Sequence, residues 1–188
     1  MALKIVTPPA VEPVELSDAK LQLRISSSVD DVLVESRIMP ARFWAEHAAG
    51  RQFITATWEL RLDAWPCGRV VDLPKPPLQE VLSVKCLDQD GTEQTFSSAN
   101  YVVDTVSTKG RIVLKSEFSW PTLADQPGAV RIQFKAGYGD AAADVPACAR
   151  HAILLHIQAA HLGDRETFGG YMEAAARLLD PIRVVEIA

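Results

Sequence analysis

The chain has 188 residues, 48% hydrophobic and 23% charged, enough to bury a sizeable core and, at about 150 residues per domain, to favour one compact domain over two. Ten Gly and 12 Pro are near average usage, which excludes collagen-like and low-complexity chains. The net charge of −5, with no run of Lys or Arg, argues against a protein that grips nucleic acid by neutralising phosphates.

In chain order, PVELSDAKLQLR (Pro13 to Arg24) predicts a short helix with Ser17 as N-cap and Leu16, Ala19, Leu21 and Leu23 on its apolar face. After the polar break at Ser26 to Ser28, Asp30 and Asp31 place carboxylates at the positive end of a second helix. Val32, Leu33, Ile38, Met39, Phe43, Trp44, Ala45 and Ala48 carry it to Gly50, with Pro40 expected to bend or split it. The period then falls to two. In TATWELRLDAWP, Trp58, Leu60 and Leu62 face inward and Thr57, Glu59 and Arg61 outward. Further strands are predicted at 70–73, 78–87, 93–96, 101–104, 111–114 and 129–136, separated by turn signals such as Asp90-Gly91, Lys109-Gly110 and Pro127-Gly128, so the sheet should be antiparallel.

Helical spacing returns after Asp144-Val145-Pro146, with Asp144 as a cap and Pro146 in the first turn, through the largely apolar ACARHAILLHIQAAHL. A Gly-containing loop is expected over Arg165 to Gly170, then an Ala-rich helix from Tyr171 to Leu179 that Pro181 stops, then the apolar ending IRVVEIA. The plan is one α+β domain over 1–188: N-terminal helices (13–50), a β-rich insertion (54–137), C-terminal helices (145–180) and a tail (181–188). The terminal helices are expected to pack together as a bundle from which the β segment projects.

No catalytic signature emerges. The histidines at 151, 156 and 161 turn about 140° per step on a helix, which scatters them around it and excludes a shared metal. Asp88, Asp90 and Glu93 begin like a calcium loop, but Gly91 stands fourth where that loop needs its glycine sixth, so the segment reads as an Asp-Gly hairpin turn. There is no G-x-S-x-G and no phosphate-binding loop, and AGYGD (136–140) reads as a connector. Trp58, Trp65 and Trp120 read as packing rather than as a stacking platform. Cys67, Cys86 and Cys148, with no C-x-x-C pair, read as three reduced thiols. The longest uncharged stretch, His151 to Gly163, is thirteen residues and too short to cross a bilayer. MALKIVTPPAVEP lacks a signal-peptide pattern, so the product is expected to stay in the cytoplasm.

Six blocks of text resemble the head-tail connector, or adaptor, proteins of tailed phages, prophages and phage-like gene transfer agents. They are PVELSDAKLQLRI, FITATWELRLDAWP, LPKPPLQEVLSVKCLDQDGTEQTF, YVVDTVSTKGRI, FKAGYGDAAADVPACARHAILLHIQAAH and LLDPIRVV. They cover nearly the whole chain; Pro40 in the second helix departs from the pattern. The resemblance implies a structural subunit, neither an enzyme nor a cofactor binder. It also implies a ring, twelve-fold, docked under the portal protein in the particle neck, which extends the DNA channel and offers a surface to a stopper or other tail-side protein. DNA would pass without sequence-specific binding, and an acidic lining suits sliding because it repels phosphates.

On that footing the tail residues Arg183, Val184, Val185 and Ile187 are expected to contact the portal, since four helices can close without them; the alternative is a strand folded back on the chain's own β segment. Arg37, Arg42 and Glu46 on the second helix, expected to be exposed, are candidates for contacts between copies. The alternatives are another particle component, such as a stopper or tail terminator, or a small hydrolase using Asp63, Asp88 or His47.

Overall fold

The computed structural model describes residues 1–163 and 165–184. They form an α+β fold with the elements β1 (Ala2–Thr7), α1 (Leu16–Leu23), α2 (Asp31–Ala49), β2 (Ala56–Leu62), β3 (Val70–Asp72), β4 (Leu78–Leu87), β5 (Glu93–Thr95), β6 (Tyr101–Asp104), β7 (Arg111–Leu114), β8 (Val130–Ala136), α3 (Ala147–Leu162) and α4 (Arg165–Leu179). Two compact units result. Met1–Pro9 and Thr55–Tyr138 hold the strands, while Ala10–Ile54 and Gly139–Ala188 hold the helices.

In the strand unit, five strands lie in the order β1-β2-β8-β4-β5 and three in the order β3-β7-β6, with every neighbouring pair antiparallel. Alternate residues of the larger sheet (Leu60, Val84, Ile132, Phe134) join Val71 and Ile112 of the smaller one in a single core. Full burial of each such side chain contributes about 1.5–3 kcal/mol. Gly110 is required by that packing, since a Cβ there would lie 2.2 Å from Leu78 Cβ.

Trp65 and Trp120 stack with centroids 4.3 Å apart, beside Phe96. Their indole N–H groups donate to the carbonyls of Pro121 and Gly68, so both faces and edges are used within the unit. The opposite face of the large sheet carries cross-strand ion pairs, Lys85 and Arg131 to Glu93 and Lys135 to Glu80.

Two expectations need correction here. Strand β1 was not foreseen: only Leu3 of its six residues is half-buried, so it has no alternation to read, and its ladder to β2 (Leu3 opposite Leu60, Ile5 opposite Trp58) is made by the backbone. Glu59 lies on the outward face of β2, as its alternation predicts, but is buried there rather than solvated, because Arg61 and Gln133 cover it with bonds of 2.6 and 3.1 Å. Burial opposes its charge, but those bonds outweigh it and hold the carboxyl below the usual range.

In the helical unit, α1 packs on α2 and α3, and α3 packs on α2 and α4. Ala19, Val34, Ile38, Ala45, Ile153, Ile157 and Leu179 are in its interior. The cap of α1 is Glu15, whose N–H donates to the Asp18 carboxylate, and not Ser17. Leu21 is exposed rather than part of the apolar face. Helix α2 runs unbroken through Pro40, which lies on an exposed face where its missing N–H leaves only a water-accessible carbonyl unpaired. Gly50 ends α2 at φ 64°, as its position in the sequence predicted.

Asp144 caps the turn at 142–144 through the Ala141 N–H, and α3 starts later with Pro146 at its N-cap. Gly139 is needed there, because a Cβ would fall 2.1 Å from the Asp144 carboxylate. Helix α4 begins at Arg165, so the expected loop over 165–170 is helical despite Gly169 and Gly170. Each costs about 1 kcal/mol relative to Ala, and packing along α3 overrides that propensity.

Candidate interaction surfaces

Arg42 and Glu46, read from the sequence as exposed, lie 4% and 5% exposed inside the helical unit. The Arg42 guanidinium bonds Glu12 (2.6 and 3.2 Å) on the segment before α1 and Glu46 (3.1 Å) one turn on. The Glu46 carboxylate also accepts from Gln52 Nε2 (2.8 Å) and the Phe53 N–H (3.0 Å), tying the last turns of α2 to the strand-ward connection. Burial works against the Arg42 charge, yet the bond to Glu12 and the charges of Glu46 and Glu12 outweigh it and raise its pKa. This network braces the fold and leaves neither group for an outside partner. Arg37 is half-buried, with Nη1 2.8 Å from His161 Nδ1.

The start of the tail is attached to the same corner. The Val184 N–H donates to the Ala49 carbonyl (2.9 Å), and Arg51 Nε donates to the Ile182 carbonyl. Gly50 permits this approach, since a Cβ there would be 3.0 Å from the Val184 carbonyl. Arg183 is exposed and Val184 half-buried; Val185 and Ile187 lie outside the described residues.

The three helical histidines meet three environments. His151 is exposed, His156 lies with its ring centroid 5.0 Å from that of Trp44, and His161 meets Arg37. Burial lowers the His156 pKa, and its Nδ1 has no partner. Among the described residues no three His, Cys, Asp or Glu converge as metal ligands. Asp63 accepts from the Gly128 N–H and the N-terminus, and Asp88 from the Asp90 and Thr92 N–H groups and Gln94. Both carboxylates therefore fasten turns.

The helical unit also carries open relief. One groove of about 790 Å³, bordered by Arg24, Arg150, Leu154 and Tyr171, follows the bonded chain Gln22–Gln158–Tyr171. A second, about 710 Å³, has Val14, Leu16, Ile38 and Met39 at its floor and Glu35 and Asp140 among its walls. A third, about 460 Å³, runs between α3 and α4 past Leu155, Gly170 and Ala174. Along α2, Val32, Leu33, Met39 and Phe43 are exposed. In the strand unit, the tip of the β6–β7 hairpin holds Val106 95% exposed, on a loop fixed by Asp104. Of these surfaces, the sequence marks α2 by its charges and gives no sign that its apolar side chains at 32, 39 and 43, seven and four residues apart, are exposed.

No family model matches the chain, and no curated protein matches it. Solved structures do. A chain from the neck of an empty gene transfer agent (GTA) particle, computed with C6 symmetry, aligns with TM-score 0.85 at 22% identity, covering 100% of this chain and 98% of that one. A chain from the virion of a native GTA particle aligns at 0.84 and 20% identity, and one from the neck of a native GTA particle, computed with C12 symmetry, at 0.79 and 21%, with the same coverage. The fold is therefore shared from end to end with these chains.

Proposed function

We propose that the protein is a structural subunit of the neck of a phage-like particle, a head-tail connector whose copies form a ring beneath the portal and extend the DNA channel toward the tail. The observation that carries this reading is the end-to-end likeness, at a TM-score of 0.85, to a chain from the neck of a GTA particle. A twelve-fold ring accords with the C12 symmetry used for one of the matched necks. The net charge of −5 suits a conduit, since an acidic wall repels phosphates. Its partners are copies of itself, the portal above and a stopper or other tail-side protein below, with no cofactor.

The portal contact is assigned to the tail from Arg183 through Val185 and Ile187, with Val184 as its fixed root on the Ala49 carbonyl. The test is a cryo-EM reconstruction of the full chain mixed with the portal encoded in the same gene neighbourhood. A ring under the portal with the tail engaged is expected. Absence of portal binding overturns the reading, and a ring that docks through another surface overturns the role of the tail alone.

A further inference from the structure

Val32, Met39 and Phe43 lie within about 40° of one another and form an apolar ridge along the outer side of α2, with Leu33 exposed about 100° round the axis; Trp44, which meets His156 of α3, is about 100–140° from the three. Large apolar side chains held in a row on a helix mark a contact surface rather than scattered exposure. The ridge is flanked by acid. Glu35 stands on it without an ion-pair partner among the described residues, and Asp140 adjoins Met39 in the neighbouring groove.

A second face has the opposite relief. Between α3 and α4, Leu155, Gly170, Ala174 and Leu178 line a shallow trough with His151 and Arg177 at its edge. Gly169 and Gly170 stand inside α4, yet a Cβ at either would meet nothing within 4 Å. Neither the backbone nor the interior asks for glycine there, whereas close approach by an outside surface does. Arg177 is 74% exposed and pairs with Glu173, itself 66% exposed, an ion pair that exchanges at little cost. On α3, His151 and Leu155 lie about 140° and 100° around the axis from His156, so the trough and the ridge face different directions.

We infer that the α2 ridge of one copy seats in the α3–α4 trough of the next, with Met39 and Phe43 over Gly170 and Ala174 and Glu35 facing Arg177. This inference rests on the ring reading and names its subunit contact. Large side chains meet small ones, acid meets base, and two unlike faces give the head-to-tail contact that closes a ring rather than a two-fold dimer.

The test pairs Met39→Cys with Ala174→Cys in a full chain carrying Cys67→Ser and Cys148→Ala, oxidised under conditions in which rings are scored by electron microscopy, with and without the portal. A ladder of dimers, trimers and longer species on a denaturing gel is expected from the double variant and none from either single variant. Rings without a ladder, or dimers from a single variant, overturn the contact and leave the ring standing; neither rings nor ladder overturns both. Gly170→Met guards against misfolding. Its added side chain points into open space, so the helical circular dichroism melt should be retained while the assembled fraction falls at least about tenfold. Assembly at the wild-type level refutes the inference. Glu35→Arg and Arg177→Glu should each weaken assembly, and together restore it.

Discussion

Glu46→Ala tests the brace between α2 and the chain that follows it. The substitution deletes the bonds from Arg42 (3.1 Å), Gln52 (2.8 Å) and the Phe53 N–H (3.0 Å) among others. Gln52 keeps a bond to the Ile54 carbonyl and Arg42 keeps Glu12, but the Phe53 N–H loses a buried acceptor and Arg42 a charge partner. Breaking one side of a buried ion pair costs about 3–5 kcal/mol, a large part of a domain's stability. Arg42→Met should cost a similar amount, because it removes the guanidinium bonded at 3.1 Å to the 5%-exposed Glu46 carboxylate and at 2.6 Å to Glu12. The double variant Arg42→Met/Glu46→Ala should be more stable than the sum of the two singles implies, since the remaining Glu12 side chain is 33% exposed and can rehydrate. Urea unfolding followed at 222 nm reads this directly, as all four helices belong to the helical unit. A loss below about 1 kcal/mol for Glu46→Ala, or strict additivity in the double variant, refutes the reasoning.

Truncation after Asp180 should destabilise the helical unit, because it removes the Ile182 carbonyl and the Val184 N–H from the α2 corner, whereas truncation after Val184 should leave the 222 nm melt unchanged and lower only portal binding. His156 has a folded pKa below its unfolded value of about 6.5, so its contribution to stability is full above that pH and is lost as pH falls; His156→Phe should flatten the decline in melting temperature between pH 7 and 5. Gly110→Ala should cost about 1–3 kcal/mol in the strand unit, read by tryptophan fluorescence, since its Cβ collides with Leu78. Asp104, held well below the usual carboxyl range by the Ser107 hydroxyl and N–H and by Arg111, contributes above about pH 4 and loses that contribution in acid; Asp104→Ala should raise hydrogen exchange at Val106 and Ser107 at neutral pH.

The strands with a buried face were legible because alternation survives in the text: Leu60 and Leu62 on β2, Ile132 and Phe134 on β8, Ile112 and Leu114 on β7. Strand β1 was not, because an edge strand held by its backbone ladder needs no periodic side chains. The start of α4 was hidden for a related reason. Gly169 and Gly170 lower local helix propensity, and only the packing of α4 along α3 shows the helix continuing through them.

The binding surfaces were the hardest to read because residue type does not fix exposure. Arg42 and Glu46 look like solvent-facing charges on a helix, yet each is buried by the complement the other supplies, with Glu12 arriving from thirty residues before Arg42 and Gln52 from just past the helix end. Val32, Met39 and Phe43 look like core, yet all three are exposed, with the Arg42 guanidinium 4.6 Å over the Phe43 ring. Under the ring contact proposed above this inversion has a physical basis: charges inside are tolerated where they brace a corner, and apolar side chains outside are tolerated where a second copy covers them. On the same proposal the glycines of α4 follow, since helix stability forgone in the monomer would be offset by a neighbour filling the open space beside them.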